Sequence, residues 1–325
     1  MNFLQKIGFV MALAALGPQA IAQAEEYPGK PIKLVVPFAV GGPTDILARI
    51  LGETLGEKLG QPIIVDNRGG AGGAIGTEII ANSAPDGYTI GLATISTHVV
   101  NPSCNKNLKY DPIKSFTPIA LVGRMPNILV VRSSFKGSSF QEFRQVLKTN
   151  SESYNLGTAG PCSFGHVMLE HLNQELGTNI RHIPYRGSGP AVSDLVGGSL
   201  DFMMDIYPLL GPHIDSGKLK ALAVAWPTRL DVLPNVPTFN ELNLPAVSTT
   251  SWYGIVAPAN LPAARLAIIS QKITESLQDP KLKKRFADAS IYAAESATPE
   301  DFKKFLIEQF DKESAFIQSR NMGSN

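Results

Sequence analysis

The stretch Lys33–Gly60, KLVVPFAVGGPTDILARILGETLGEKLG, decides the fold. Lys33 to Phe38 is a continuous apolar run of strand length, as expected of a strand buried on both faces. Ala39-Val40-Gly41-Gly42-Pro43 is a turn. Thr44 or Asp45 can then cap a helix whose apolar positions, Ile46, Leu47, Ile50, Leu51, Leu55 and Leu59, recur at helical spacing. Gly60 stops it. This is a strand, a glycine loop and a helix, the unit of an α/β sheet.

The unit repeats along the chain. Ile63 to Val65 reads as a strand. The glycine loop Asn67 to Gly76 (NRGGAGGAIG) follows, with a helix from Thr77 to Asn82. Strands follow at Tyr88–Ala93, Ile128–Val131, Tyr154–Gly157, Ile180–Tyr185, Phe202–Met204, Leu219–Ala225 and Trp252–Val256. Helices are expected over 139–148, 166–176, 191–197, 265–277, 280–287 and 299–316. Such alternation predicts an α/β fold with mainly parallel sheets flanked by helices. Ligands of these folds bind beyond the carboxyl ends of the strands. Four loops there are rich in Gly or small polar residues: 39–45, 67–76, 158–165 and 186–190. They lie in both halves of the sequence, and a cleft between two α/β lobes brings them together.

The first 24 residues read as an address. One cation, Lys6, precedes the uncharged run Ile7–Gly17, and the small-residue pattern around Ala20, Ala22 and Ala24 offers cleavage after 22 or 24. This is the layout of a secretory signal peptide, and the run is too short to span a bilayer. Export to the periplasm is the expectation. Two cysteines, Cys104 and Cys162, then face an oxidising compartment, which points to a disulfide; two separate free thiols are the alternative. Closing a loop of about 58 residues would add roughly 4 kcal/mol in the chain-entropy treatment.

Composition narrows the function. Among 325 residues, 29 Lys+Arg stand against 28 Asp+Glu, so no basic surplus exists to neutralise nucleic-acid phosphates. The 29 Gly and 24 Pro fit a fold with many tight turns. Glycine loops backed by helix N-termini form anion sites from backbone N–H groups alone. The groups near Gly41 and Gly42, the Thr44 hydroxyl and the Arg186–Pro190 loop before Ala191 are candidates, while Asp45 doubles as a helix cap. Asp205, at a strand end, is a candidate partner for a ligand amine. No P-loop is present, and Ile75 stands where the third glycine of a dinucleotide fingerprint belongs. The five histidines lack zinc spacing. No metal and no cofactor are expected. Cys162 beside His166 or His182 could mimic a thiol nucleophile and base, so an exported hydrolase is one alternative.

In order along the chain, the motifs resemble the substrate-binding proteins of tripartite tricarboxylate transporters, the Bug/TctC family. The matching pieces include Pro37-Phe38 with Gly41-Gly42-Thr44-Asp45, and Val65-Asp66-Asn67-Arg68 with Gly70-Ala71-Gly72-Gly73. Pro85-Asp86-Gly87-Tyr88-Thr89, Tyr110-Asp111-Pro112 and Gly157-Thr158-Ala159-Gly160 follow. The most specific stretch is Pro184-Tyr185-Arg186-Gly187 with Pro190-Ala191 and Asp194-Leu195; Trp252-Tyr253-Gly254 comes later. The resemblance implies a two-lobed, type II-like periplasmic binding protein, monomeric and not an enzyme. It would capture a small carboxylate by lobe closure and deliver it to membrane permease subunits. Family ligands are di- and tricarboxylates, acidic amino acids and aromatic carboxylates. The resemblance also implies that the chain crosses twice, with lobe 1 over 25–124 plus 249–325 and lobe 2 over 125–248. Carried onto matching positions, ligand contacts would come from Phe38, Ala39, Gly41, Gly42, Thr44 and Asp45 on the first lobe. On the second they would come from Thr158, Ala159, Gly160, Ser163, Tyr185, Gly187, Ser188, Pro190, Ala191 and Asp205. Cys162 departs from the small residues expected in its loop, and a bond to Cys104 would tie that loop to the first lobe. A binding protein that presents its closed form to a signalling receptor is a second alternative.

Overall fold

A computed structural model describes residues 27–295 and 298–323; the expected signal peptide over 1–24 lies outside the described residues. Strand β1 (Ile32–Val36) leads into α1 (Pro43–Leu59), β2 (Ile63–Asn67), α2 (Ala74–Ala81) and β3 (Thr89–Thr94). A π-helical turn, Ser96–Val100, runs directly into α3 (Asn101–Cys104). Then come β4 (Phe116–Met125) and β5 (Asn127–Arg132), separated only by Pro126. The chain continues through α4 (Phe140–Asn150), β6 (Asn155–Thr158), α5 (Phe164–Leu176), β7 (Arg181–Pro184), α6 (Ser188–Gly197), β8 (Phe202–Ile206), α7 (Tyr207–Asp215) and β9 (Leu219–Ala225). After a long connection follow β10 (Ser251–Pro258), α8 (Ala263–Gln278), α9 (Pro280–Asp288), β11 (Tyr292–Ala293) and α10 (Pro299–Ser319).

The strands form two sheets, one for each lobe. The first has six in the order β11-β4-β10-β3-β1-β2, the second five in the order β7-β6-β8-β5-β9. The sheets are mixed, which corrects the expectation of mainly parallel ones: β1 pairs β2 and β3, and β6 pairs β7 and β8, in parallel, while the other five pairings are antiparallel. The reason lies in the crossings. The chain enters the second lobe through β5 and returns to the first through β10. A strand that starts at the crossing must run away from the cleft, whereas β1, β3, β6 and β8 run towards it. Both crossing strands, β5 and β10, have neighbours on either side, so each reverses two pairings.

The crossing itself is knitted by side chains. Asn127 Nδ2 donates to Thr249 O at 3.2 Å, and Ser251 Oγ donates to Asn127 Oδ1 at 3.1 Å. These residues are buried, where an unpaired amide would be costly.

Side-chain alternation places the core. Along β5, Leu129 and Val131 face one layer while Ile128 and Val130 face the other, as the period of two requires. The first layer holds Phe135, Phe143 and Phe202, with ring centroids 4.9–5.9 Å apart at steep angles, a favourable edge-to-face arrangement. The second layer is closed by α6 and α7 through Val192, Leu195 and Leu210. Helix α10 belongs in sequence to the end of the chain but lies against both lobes. Its Glu313 accepts from Thr249 Oγ1 at 3.5 Å and meets His171 of α5 at 3.0 Å, Phe316 stacks on His171 at 3.6 Å, and Arg320 pairs with Glu170 at 2.8 Å.

Candidate ligand-binding cleft

The carboxyl ends of β1 and β3 in one lobe and of β6 and β8 in the other open towards the crossing, so the loops that follow them share the cleft. On the first lobe, the loop after β1 rises to Val40, 69% exposed. Gly41 turns it with φ +82°. Its N–H is already engaged, donating to Asp45 Oδ2 at 2.9 Å; the same oxygen accepts from Arg49 Nε at 3.0 Å. Burial pushes the Asp45 carboxyl up, but the hydrogen bonds from Arg49 and Gly41 outweigh it and leave the pKa below the usual range. Asp45 therefore serves the loop and the α1 N-terminus. Phe38 packs against the core, and its carbonyl accepts from Asn67 Nδ2 at 3.1 Å. Ala39 and Gly42 lie on the surface of the loop, Ala39 exposed and Gly42 half-buried.

The glycine loop 67–76 is a support for that rim. A Cβ on Gly76 would lie 2.6 Å from Arg68 O and 2.7 Å from Pro37 Cα. Glycine there lets α2 press directly under the β1 loop, a packing role that composition alone does not separate from ligand contact.

On the second lobe two loops are stitched together. Tyr185 N donates to Thr158 O at 3.0 Å and Gly187 N to Ala159 O at 3.1 Å. Gly187 reaches this geometry with φ +105° and caps α6 without a side chain. The Thr158 hydroxyl is buried and committed to Gly160 and to His182 Nε2, 2.7 Å away. Ser163 caps α5, accepting from His166 N at 3.4 Å. Tyr185 donates its phenol to Asp194 at 2.7 Å; burial and that carboxylate push its pKa up to about 12. Pro190 is exposed and Ala191 fully buried in the first turns of α6. Ser188 Oγ donates to Asp205 Oδ2 at 2.5 Å, and Ile206 N donates to Oδ1 at 2.8 Å. Burial raises the Asp205 pKa, opposed by these two donors.

Several contributors escaped the sequence reading. Burial pushes up the pKa of the Tyr253 phenol on β10, with the Asp205 charge adding to the rise and the Thr44 and Ser251 hydroxyls opposing it. The motif Trp252-Tyr253-Gly254 held the signal, although nothing in its spacing said which residue faces the cleft. His166 and His182 stack on each other at 3.8 Å beneath the 158–163 loop, and His166 Nδ1 accepts from Cys162 N at 3.2 Å. Burial lowers both, His182 to about 4. Cys162 is bonded to Cys104, so the hydrolase alternative has no thiol to use. Among the described residues, no cluster of three or more His, Cys, Asp or Glu could hold a metal ion.

What remains free for a ligand is mostly main chain. Ala159 N has no hydrogen-bond partner among the described residues. The first N–H groups of α6, at Ser188 and Gly189, lack intrahelical acceptors by construction and carry the positive end of the helix dipole. They are neutral donors of the kind that suit a small anion.

Two mixed α/β lobes, joined by two crossings and lined at the junction by backbone donors, define a two-lobed solute-binding protein. The comparisons agree and are narrower. Residues 47–322 match the family described as the tripartite tricarboxylate transporter family receptor, TctC. Protein BugT of Bordetella pertussis is 34% identical over 318 residues, covering 98% of this chain and 97% of that protein. Among solved structures, one described as a periplasmic transporter is 42% identical with a TM-score of 0.85, covering 91% of this chain and 99% of its own. The periplasmic binding protein BugD is 34% identical with a TM-score of 0.83, covering 92% and 100%. MatC from Rhodopseudomonas palustris, solved with bound malate, is 31% identical with a TM-score of 0.81, covering 90% and 100%. This chain belongs to the TctC family of tripartite tricarboxylate transporter receptors.

Proposed function

We propose that the protein is a periplasmic receptor that captures a small carboxylate between its lobes and hands it to the membrane subunits of a tripartite transporter. The lobes would divide at residues 124/125 and 248/249. The observation that carries this reading is the α6 N-terminus. Gly187 and Ala159 hold it rigidly, and the N–H groups of Ser188 and Gly189 are left without intrahelical acceptors beside the lobe junction. Neutral donors bind a carboxylate without needing a basic surplus, consistent with 29 cations against 28 anions. The bound malate of MatC is a ligand of this chemical class. Closure is a hinge motion about the Asn127–Thr249 crossing, populated by ligand.

Native mass spectrometry of freshly purified protein, followed by thermal-shift screening of the ligand-free form against di-, tri- and aromatic carboxylates and acidic amino acids, tests the reading. At 100 times Kd a true ligand stabilises by about 2.7 kcal/mol. Absence of any co-purified acid together with no shift across the panel would overturn it.

A further inference from the structure

The Cys104–Cys162 bond joins α3 of the first lobe to the 158–163 loop of the second, with Met322 O 2.9 Å from Cys162 Sγ. Cys104 ends α3, which packs on α10 in the first lobe and is buried. Cys162 lies in the second-lobe loop that also holds Ala159 and Gly160. The two Cα atoms are 6.1 Å apart. The lobes are also linked by the chain at Pro126 and over 226–250, by the Trp226–Tyr292 ring contact at 4.4 Å, by α5 against the Ser96–Val100 turn, and by contacts between α5 and α10. Those contacts form a line. Glu313 touches Thr249 at the crossing and His171 on α5; Phe316 covers His171; Arg320 reaches Glu170. These are non-covalent contacts that can part, the buried Glu313–His171 pair at the greatest cost. A disulfide does not: its Cα atoms stay within about 7 Å.

We propose that the Cys104–Cys162 disulfide is a redox-operated restraint on lobe opening, holding the 158–163 loop against α3 in the oxidised protein and releasing it on reduction. The inference rests on the reading of the cleft as the ligand site. In the oxidised form the lobes part only as far as the loop deforms, and ligand exchange is slow. In the reduced form only the two crossings and non-covalent contacts hold the lobes, so they swing further. Cys162 adopts φ +51°, a left-handed conformation costly for a residue with a Cβ. That conformation is held by the bond on one side and by the His166 contact to its N–H on the other, so release lets the loop relax.

The reductant is a dithiol of the thioredoxin-like class. One of its thiolates attacks the Sγ of Cys162, the more exposed of the two residues. The Cys104–Cys162 bond breaks and Cys104 leaves as a thiolate that takes up a proton. The reductant's second thiolate then attacks its own sulfur in the mixed disulfide and releases Cys162, which is protonated in turn. Two electrons and two protons pass to the protein, and the reductant ends as a disulfide.

The test uses the ligand-free full chain in three forms: oxidised, reduced with dithiothreitol and verified by thiol count, and carrying Cys104→Ser with Cys162→Ser. Small-angle X-ray scattering reads the opening, and hydrogen–deuterium exchange reads residues 158–163 and 185–189. The expected result is a larger radius of gyration and roughly tenfold faster exchange in those loops for both thiol-free and reduced forms. Superimposable scattering and equal exchange in all three would overturn the proposal. If the double variant fails to fold by near-ultraviolet circular dichroism, the reduced wild-type chain decides alone. Neither readout uses a ligand, so a carboxylate panel that finds no binder sinks the proposed function without touching this result.

Discussion

Ser188 Oγ donates to Asp205 Oδ2 across 2.5 Å, fastening the first residue of α6 to the end of β8. The acceptor is a carboxyl whose pKa is raised by burial, despite donors from Ser188 and Ile206. A raised folded pKa means the native state holds this proton more tightly than the unfolded chain. Stability from this group is therefore complete below the unfolded value and is lost as pH rises through the folded one. Asp205→Asn keeps the acceptor for Ser188 and removes the charge. Its melting temperature should exceed that of the wild type at pH 7 and converge with it near pH 3.5. A deficit of equal size at both pH values would refute this.

Gly187→Ala tests the stitching of the two second-lobe loops. No atom lies within 4 Å of the added Cβ, so the cost comes from φ +105° alone, about 1–2 kcal/mol. Carboxylate affinity should fall as well, because the N–H bonded to Ala159 O turns away. Gly189→Ala, equally open but within α6, should stabilise by about 0.5–1 kcal/mol instead. Denaturant midpoints for the pair, with calorimetric titration of the ligand found by screening, check both signs.

Glu313→Ala removes the acceptor shared by His171 and Thr249. His171 Nε2 is left buried under Phe316 without that partner, a loss of about 1–3 kcal/mol. Urea unfolding at pH 7 measures it; a change within error would show that water replaces the carboxylate.

Mild acid should destabilise the protein through its histidines. His98 is wholly buried against Phe116, with Nε2 unpartnered among the described residues, and burial lowers its pKa to about 3. His182 is lowered to about 4 and His166 in the same direction. Below pH 6.5 the unfolded chain takes up protons that the native state refuses. Each such histidine then costs up to about 1.4 kcal/mol per pH unit, until its folded pKa is reached. His98→Gln should flatten the slope between pH 6.5 and 4 in a melting series; an unchanged slope would locate the effect elsewhere.

The strand–loop–helix rhythm was legible wherever each strand was apolar and each helix amphipathic: β1, α1, β9 and α10 lie where pattern places them. The misses have physical causes. Strand β4 carries Pro118 and Gly123, and α7 carries Pro208, Gly211 and Pro212, breakers in isolation that tertiary partners override. The direction of β5 and β10 depends on where the chain crosses, which no local period records. At the cleft, the loops were found but the duties of their side chains were not. Asp45, Thr158 and Tyr185 spend their polar groups on Gly41, His182 and Asp194. Polar residue types in a glycine loop announce hydrogen bonding; they do not say with whom.

The placement of α10 has a consequence for the order of assembly. A ribosome delivers α5 and both cysteines long before Glu313, Phe316 and Arg320. Until then the face of α5 that carries Glu170 and His171 has no cover from its own chain. The second lobe can form its sheet early, yet its seat against the first is completed only by the last helix to arrive. A nascent chain arrested before residue 313 would carry both halves of the cleft and lack the clasp between them.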